Sequence, residues 1–159
     1  MNPRDTEHML CGEGSPRGVK IPDLPKLRIL LAEDNPVNQT FAILILKRYG
    51  HSVVAVANGQ QAIQELETND YDVVLMDIRM PLLSGDDALE DIRGGRTSAR
   101  DPEIPVIAMT AHTGSDDIQH FEDVGFDGFI GKPMTWEIVL STIHMALERK
   151  GRLENSTEH

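Results

Sequence analysis

A chain of 159 residues with 26 acidic against 15 basic side chains, a formal net charge of -11, lacks the basic footprint that nucleic acid or an anionic membrane surface requires. Its one cysteine, Cys11, excludes an intramolecular disulfide and a cysteine-built metal cluster, which fits a reducing cytoplasm. The longest apolar run, Phe41 to Leu46, is far too short to span a membrane, no apolar block near the amino terminus makes a signal peptide, and the length suits one domain.

Residues 1–26 are rich in Gly, Pro and charge and carry too little apolar surface to offset the entropy of ordering, so they read as a flexible arm or linker. From Leu27 the pattern changes. Leu27 to Ala32 is a strand closed by Glu33-Asp34-Asn35, and Asp34 or Asn35 caps a helix that opens on Pro36. That helix is apolar nearly all round (Val37, Phe41, Ile43, Leu44, Ile45, Leu46), which predicts that it is well covered. A second strand, Ser52 to Ala57, ends in Asn58-Gly59, which reads as a plain turn before a helix with Ala62, Ile63 and Leu66 on one face.

Tyr71 to Asp77 is the third strand, and its run Val73-Val74-Leu75-Met76 is that of a strand buried on both faces in a parallel sheet. Pro81 cannot join a ladder, so the chain leaves the sheet just after Asp77, which falls at the carboxyl edge where open α/β sheets bind ligands. Ser84 caps a short helix ending at Gly94-Gly95, and Arg93 at its end with Arg96 and Arg100 beyond it read as solvated surface. A fourth strand runs from Ile104 to Thr110 and a helix with Ile118, Phe121 and Val124 follows. The fifth strand, Phe126 to Gly131, ends in Lys132-Pro133. A last helix from Thr135 carries Trp136, Leu140, Ile143 and Leu147. Residues 27–150 thus make five strand-helix units, and residues 151–159 read as a disordered polar tail. Five such units predict an all-parallel, flavodoxin-like doubly wound α/β sheet with five helices.

Four strands end in residues able to do chemistry: Glu33-Asp34, Asp77, Thr110 and Lys132. In the order 2-1-3-4-5 the first and third strands are neighbours, which puts their end carboxylates roughly 5–8 Å apart. Acids that close repel one another unless a cation lies between them, and Mg²⁺ is the usual hard cation where phosphate is handled. Singly, each residue has a plainer reading, Asp34 as a helix cap, Thr110 as a strand end, Lys132 as a surface lysine; their coincidence at one sheet edge favours chemistry.

The runs Leu30-Leu31-Ala32-Glu33-Asp34-Asn35-Pro36-Val37-Asn38-Gln39, Val74 to Pro81 with Gly85 after it, Met109-Thr110-Ala111, and Gly125 to Pro133 resemble the response regulator receiver domain of two-component signalling. The wording around Asn35 is most similar to receivers of hybrid sensor histidine kinases. Leu83-Ser84-Gly85 stands where the family often has Met-Asp-Gly, a change of cap.

The resemblance implies that Asp77 is the phosphoacceptor. It further implies that Glu33, Asp34, Asp77 and the Arg79 backbone carbonyl hold Mg²⁺, that Thr110 and Lys132 contact the phosphoryl group, and that Thr110 and Phe129 form the switch. Arg79 and His112, each two residues past a site residue, would tune attack by water. The implied partner is a histidine kinase or histidine phosphotransfer protein, and the implied homodimer face is the fourth helix, fifth strand and fifth helix. A cytoplasmic switch rather than an enzyme is expected, working by protein contact or phosphorelay.

Three alternatives fare worse. A haloacid-dehalogenase-type phosphatase needs an acid two residues after the nucleophile, where this chain has Arg79, and a flavin site would be opposed by Glu33-Asp34 after the first strand. A receiver-like module that never turns over phosphate would lack an acid, the threonine or the lysine, and all are present.

Overall fold

The computed structural model describes residues 24–111 and 113–153, so Cys11, His112, most of the expected amino-terminal arm and residues 154–159 lie outside the described residues. Among the described residues the strands are β1 Arg28–Ala32, β2 Ser52–Val56, β3 Val73–Asp77, β4 Val106–Thr110 and β5 Gly128–Gly131. The helices are α1 Pro36–Arg48, α2 Gly59–Thr68, α3 Gly85–Arg93, α4 Ser115–Val124 and α5 Trp136–Arg149. All strand pairs are parallel, in the order β2-β1-β3-β4-β5. The predicted doubly wound fold is present.

Alternation along the strands sorts the core into two layers. Ile29, Leu31, Val73, Leu75, Ile107 and Met109 face Leu46 of α1 and Leu140, Ile143 and Leu147 of α5. Leu30, Val74, Met76, Val106 and Ala108 face Leu66 of α2, Ala88, Leu89 and Ile92 of α3, and Phe121 of α4. Every residue of β3 and β4 is buried, as strands covered by helices on both sides must be. Of the expected arm and tail, Leu24 and Leu153 pack against the first of these layers.

Three local expectations are corrected. Helix α1 is not well covered: only Ala42 and Leu46 are buried, while Val37 is 75%, Leu44 65% and Phe41 40% exposed. Residues 37, 41 and 44 share a helical face opposite 42 and 46, and one sheet can cover only one stripe of a helix. Asn58-Gly59 is not a plain turn. Asn58 Oδ1 accepts the N–H of Gln61 and caps α2, and a Cβ on Gly59 would lie 2.5 Å from the Leu83 carbonyl oxygen. Arg93 is not solvated: its guanidinium donates to the carbonyls of Pro102, Ile104 and Gly125 and to Asp127 Oδ2, joining α3 to the chain before β4 and β5. Arg96 and Arg100 are the exposed ones.

His51, buried just before β2, accepts the N–H of Leu27 at Nδ1 (3.1 Å). That bond needs an unprotonated nitrogen, and burial lowers the pKa of the ring below its usual 6.5. Stability from the neutral ring is therefore present above the usual value and is lost as the pH falls through the lowered one. Replacing His51 by Gln, a neutral acceptor, is expected to remove that share of acid sensitivity, seen as a gap of roughly 1 kcal/mol that closes between the two chains in urea unfolding below pH 6. Parallel curves would show that His51 does not titrate with unfolding.

Candidate active site at the carboxyl edge of the sheet

Beyond Ala32, Glu33 continues the β1 path by donating its N–H to the Val56 carbonyl (3.0 Å), and its side chain is 1% exposed. The Asn35 N–H donates to Glu33 Oε2 (3.1 Å), and Asn35 Oδ1 accepts from Val37 and Asn38 to cap α1. Asn35, not Asp34, is thus the cap, and Asp34 is left exposed at the mouth of the site. Pro36 takes the first helical position, where its missing N–H costs nothing.

Asp77, 4% exposed, is the last residue of β3, and the Arg79 N–H reaches its Oδ1 at 3.3 Å. The chain then turns sharply. Ile78 donates to the Met109 carbonyl, and Gly85 donates back to Ile78 (2.9 Å), bringing the start of α3 beneath the turn. A Cβ on Gly85 would overlap the Asp77 carbonyl oxygen. Thr110, the last residue of β4, is buried, pairs in register with Gly131, and accepts the Lys132 N–H at its carbonyl.

From there Lys132 reaches across β4: its Nζ lies 3.0 Å from Asp77 Oδ2 and 3.2 Å from Glu33 Oε1. Glu33, Asp34 and Asp77 each offer an oxygen, and these atoms all lie within 4.8 Å of one another, closer than strand spacing alone predicts. The ammonium between two of the acids offsets their repulsion. Lining the same cleft of about 260 Å³ are Asn38, Arg79, Thr110 and Ala111.

The electrostatics follow from burial. Burial first, and then the charge of Glu33, push the Asp77 carboxyl up to about 6 despite the Lys132 ammonium, so it is ionised at neutral pH. Burial alone would lower the Lys132 pKa, but Asp77 and Glu33 outweigh it and raise the value. Glu33 Oε1 is buried without a well-aligned hydrogen bond, although Lys132 is near. A carboxylate oxygen held by an ion pair alone, beside two further acids, is a donor set for a hard divalent cation such as Mg²⁺.

The structure therefore brings together Glu33, Asp34, Asp77, Thr110, Lys132 and the Arg79 turn. Phe129 stands apart, partly exposed on β5 in an apolar groove with Phe121, Thr142 and Met145. Sequence reasoning passed over Gln39, whose amide reaches the carbonyls of Glu33 and Val56. Its place four residues after the Asn35 cap, one helical turn on, was the available signal.

The sequence model of the response regulator receiver domain matches residues 29–144, and the chain belongs to that family. Over 130 residues it is 35% identical to hybrid signal transduction histidine kinase K of Dictyostelium discoideum, covering 79% of this chain and 11% of that protein. Over 128 residues it is 30% identical to sensor histidine kinase GacS of Pseudomonas protegens, covering 78% of this chain and 14% of that one. The chain thus spans a small part of the length of these relatives. Among solved structures, the receiver domain of sensor histidine kinase PA1611 from Pseudomonas aeruginosa, which has a magnesium ion in its active-site cleft, superposes with a TM-score of 0.69 at 33% identity. The match covers 78% of this chain and 99% of that domain. Chemotaxis protein CheY4 of Vibrio cholerae shares the fold at a TM-score of 0.70 and 23% identity, with 77% and 100% covered. Among the described residues, no helix is long and apolar enough to cross a membrane.

Proposed function

We propose that this chain is a phosphorylation-dependent switch whose residues 27–150 form the receiver domain, taking a phosphoryl group from a phosphohistidine onto Asp77. One observation carries the reading: a buried carboxylate at the end of a central strand has an ammonium 3.0 Å away and two more acids around it. An Asp77 carboxylate oxygen attacks phosphorus in line; the O–P bond forms as the N–P bond breaks, and its electron pair returns to the imidazole. Mg²⁺, when bound to Glu33, Asp34, Asp77 and the Arg79 carbonyl, supplies positive charge for the transferring oxygens. Lys132 passes from the Asp77 carboxylate to the phosphoryl oxygens, and Thr110 donates its hydroxyl to them. The chain thereby catalyses its own phosphorylation and dephosphorylation and acts on no separate substrate, with Arg79 and His112 tuning the access of water.

The product adds about one negative charge or more at the sheet edge. Thr110 turning toward it makes room for Phe129 to swing in from its exposed position, which re-shapes the groove between α4, β5 and α5, the face for a homodimer or another reader. The donor, a histidine kinase or histidine phosphotransfer protein in the cytoplasm, docks on Val37, Phe41 and Leu44. Their exposure supports this, as does the place of their helix beside the cleft mouth at Asn35 and Asn38. From that contact the signal passes by phosphorelay or by protein contact.

The test is incubation with a small phosphodonor, followed by intact-mass measurement. One base-labile phosphoryl group is expected with Mg²⁺ and none with a chelator; no gain under either condition overturns the reading.

A further inference from the structure

We infer that Gln39 is a positioning residue for the metal site, acting through the peptide unit that carries both Glu33 and Asp34. The β1 ladder ends at Ala32, paired with Val56, so the Glu33–Asp34 peptide lies past the last ladder pair. Its carbonyl, the Glu33 oxygen, accepts Gln39 Nε2 at 2.7 Å. The same amide donates to the Val56 carbonyl at 3.2 Å, which is also the acceptor of the Glu33 N–H at 3.0 Å. One carboxamide therefore holds the carbonyl of Glu33 directly and the acceptor of its N–H as well.

Two acidic side chains hang from this one peptide. Tilting its plane would turn Asp34, which directly follows, and would move Glu33 away from the Asn35 N–H that orients its Oε2. Gln39 is itself anchored, since its own N–H bonds to the Asn35 carbonyl in the first turn of α1. The side chain thus couples the start of α1 to the two acids on β1. Partners that orient metal ligands typically govern affinity without touching the ion.

The inference rests on the reading that Glu33 and Asp34 hold Mg²⁺, and its test separates the two. Mg²⁺ binding to the full chain is measured by titration calorimetry for wild type, Gln39→Met, which keeps length and helix propensity but removes the donors, and Gln39→Glu. Both variants are expected to bind Mg²⁺ about tenfold more weakly. The Glu variant is the sharper arm, because an added carboxylate beside an acidic notch would by charge alone tighten binding. With a small phosphodonor, the half-saturating Mg²⁺ concentration should rise while the rate at saturating Mg²⁺ stays within about twofold. Wild-type affinity in Gln39→Met, tighter binding in Gln39→Glu, or a fall in the saturating rate at unchanged half-saturation overturns the positioning role. A wild-type chain that binds no Mg²⁺ overturns the underlying reading and this inference with it.

Discussion

Gly85→Ala is expected to lower stability by about 3 kcal/mol and to slow phosphoryl uptake, although the change adds one methyl group. The added Cβ would overlap the Asp77 carbonyl oxygen and come within 3.0 Å of Met76 Cγ, and neither neighbour has room to yield. Met76 is fully buried, and the oxygen belongs to the backbone of the acceptor residue. Relief must come from moving α3 away from the turn, which breaks the bond from the Gly85 N–H to Ile78, or from moving Asp77. Urea unfolding and the rate of phosphorylation by a small donor check both consequences. A variant as stable and as fast as wild type would show that the turn has slack. Gly59, packed on the Leu83 carbonyl, holds the other side of the same loop, so the acceptor turn is wedged between two helix starts.

Replacing Lys132 by Ala is expected to separate metal binding from phosphorylation. Without Lys132, Asp77 and Glu33 face each other in a buried notch with no cation, a loss of about 2–3 kcal/mol in the metal-free protein near pH 7. The pH dependence has a definite sign. The raised Lys132 pKa means that its stabilising contribution is present below the usual 10.5 and lost only as the pH rises through the folded value. Without that ammonium the Asp77 carboxyl, already raised to about 6, rises further and takes up its proton before the wild type does, so the cost of the substitution shrinks as the pH falls toward that value and is constant below it. Mg²⁺ should still bind and should restore most of the lost stability, while phosphoryl uptake falls about a hundredfold or more. Thermal unfolding with and without Mg²⁺ at pH 5.5 and 7.5, together with uptake rates, gives both readouts. Loss of Mg²⁺ binding with uptake preserved would contradict the role given to Lys132.

Much of this was legible in the sequence because parallel strands announce themselves. Val73 to Met76 is apolar without alternation, as burial on both faces demands, and Pro81 fixes where β3 must stop, so Asp77 falls at the sheet edge. Once the strand order is set, the residues at the ends of β1, β3, β4 and β5 converge of necessity. What stayed hidden depends on three-dimensional supply rather than on pattern. The apolar stripe of Val37, Phe41 and Leu44 has the composition of a core face, and only the finite width of the sheet leaves it outside. Arg93 carries the charge of a surface residue, yet four acceptors around its guanidinium allow it to lie largely covered at the end of α3. Gln39 and Asn58 do their work through backbone groups, so their only trace in the sequence is their place relative to a helix start.

The most direct measurement locates the phosphoryl group. The chain is loaded with Mg²⁺ and a small phosphodonor, the acyl phosphate is trapped by reduction, and the peptides are mapped by mass spectrometry. A single modification at Asp77 in wild type and none in Asp77→Asn is the predicted result. Label on another residue, or equal uptake by Asp77→Asn, would contradict the account.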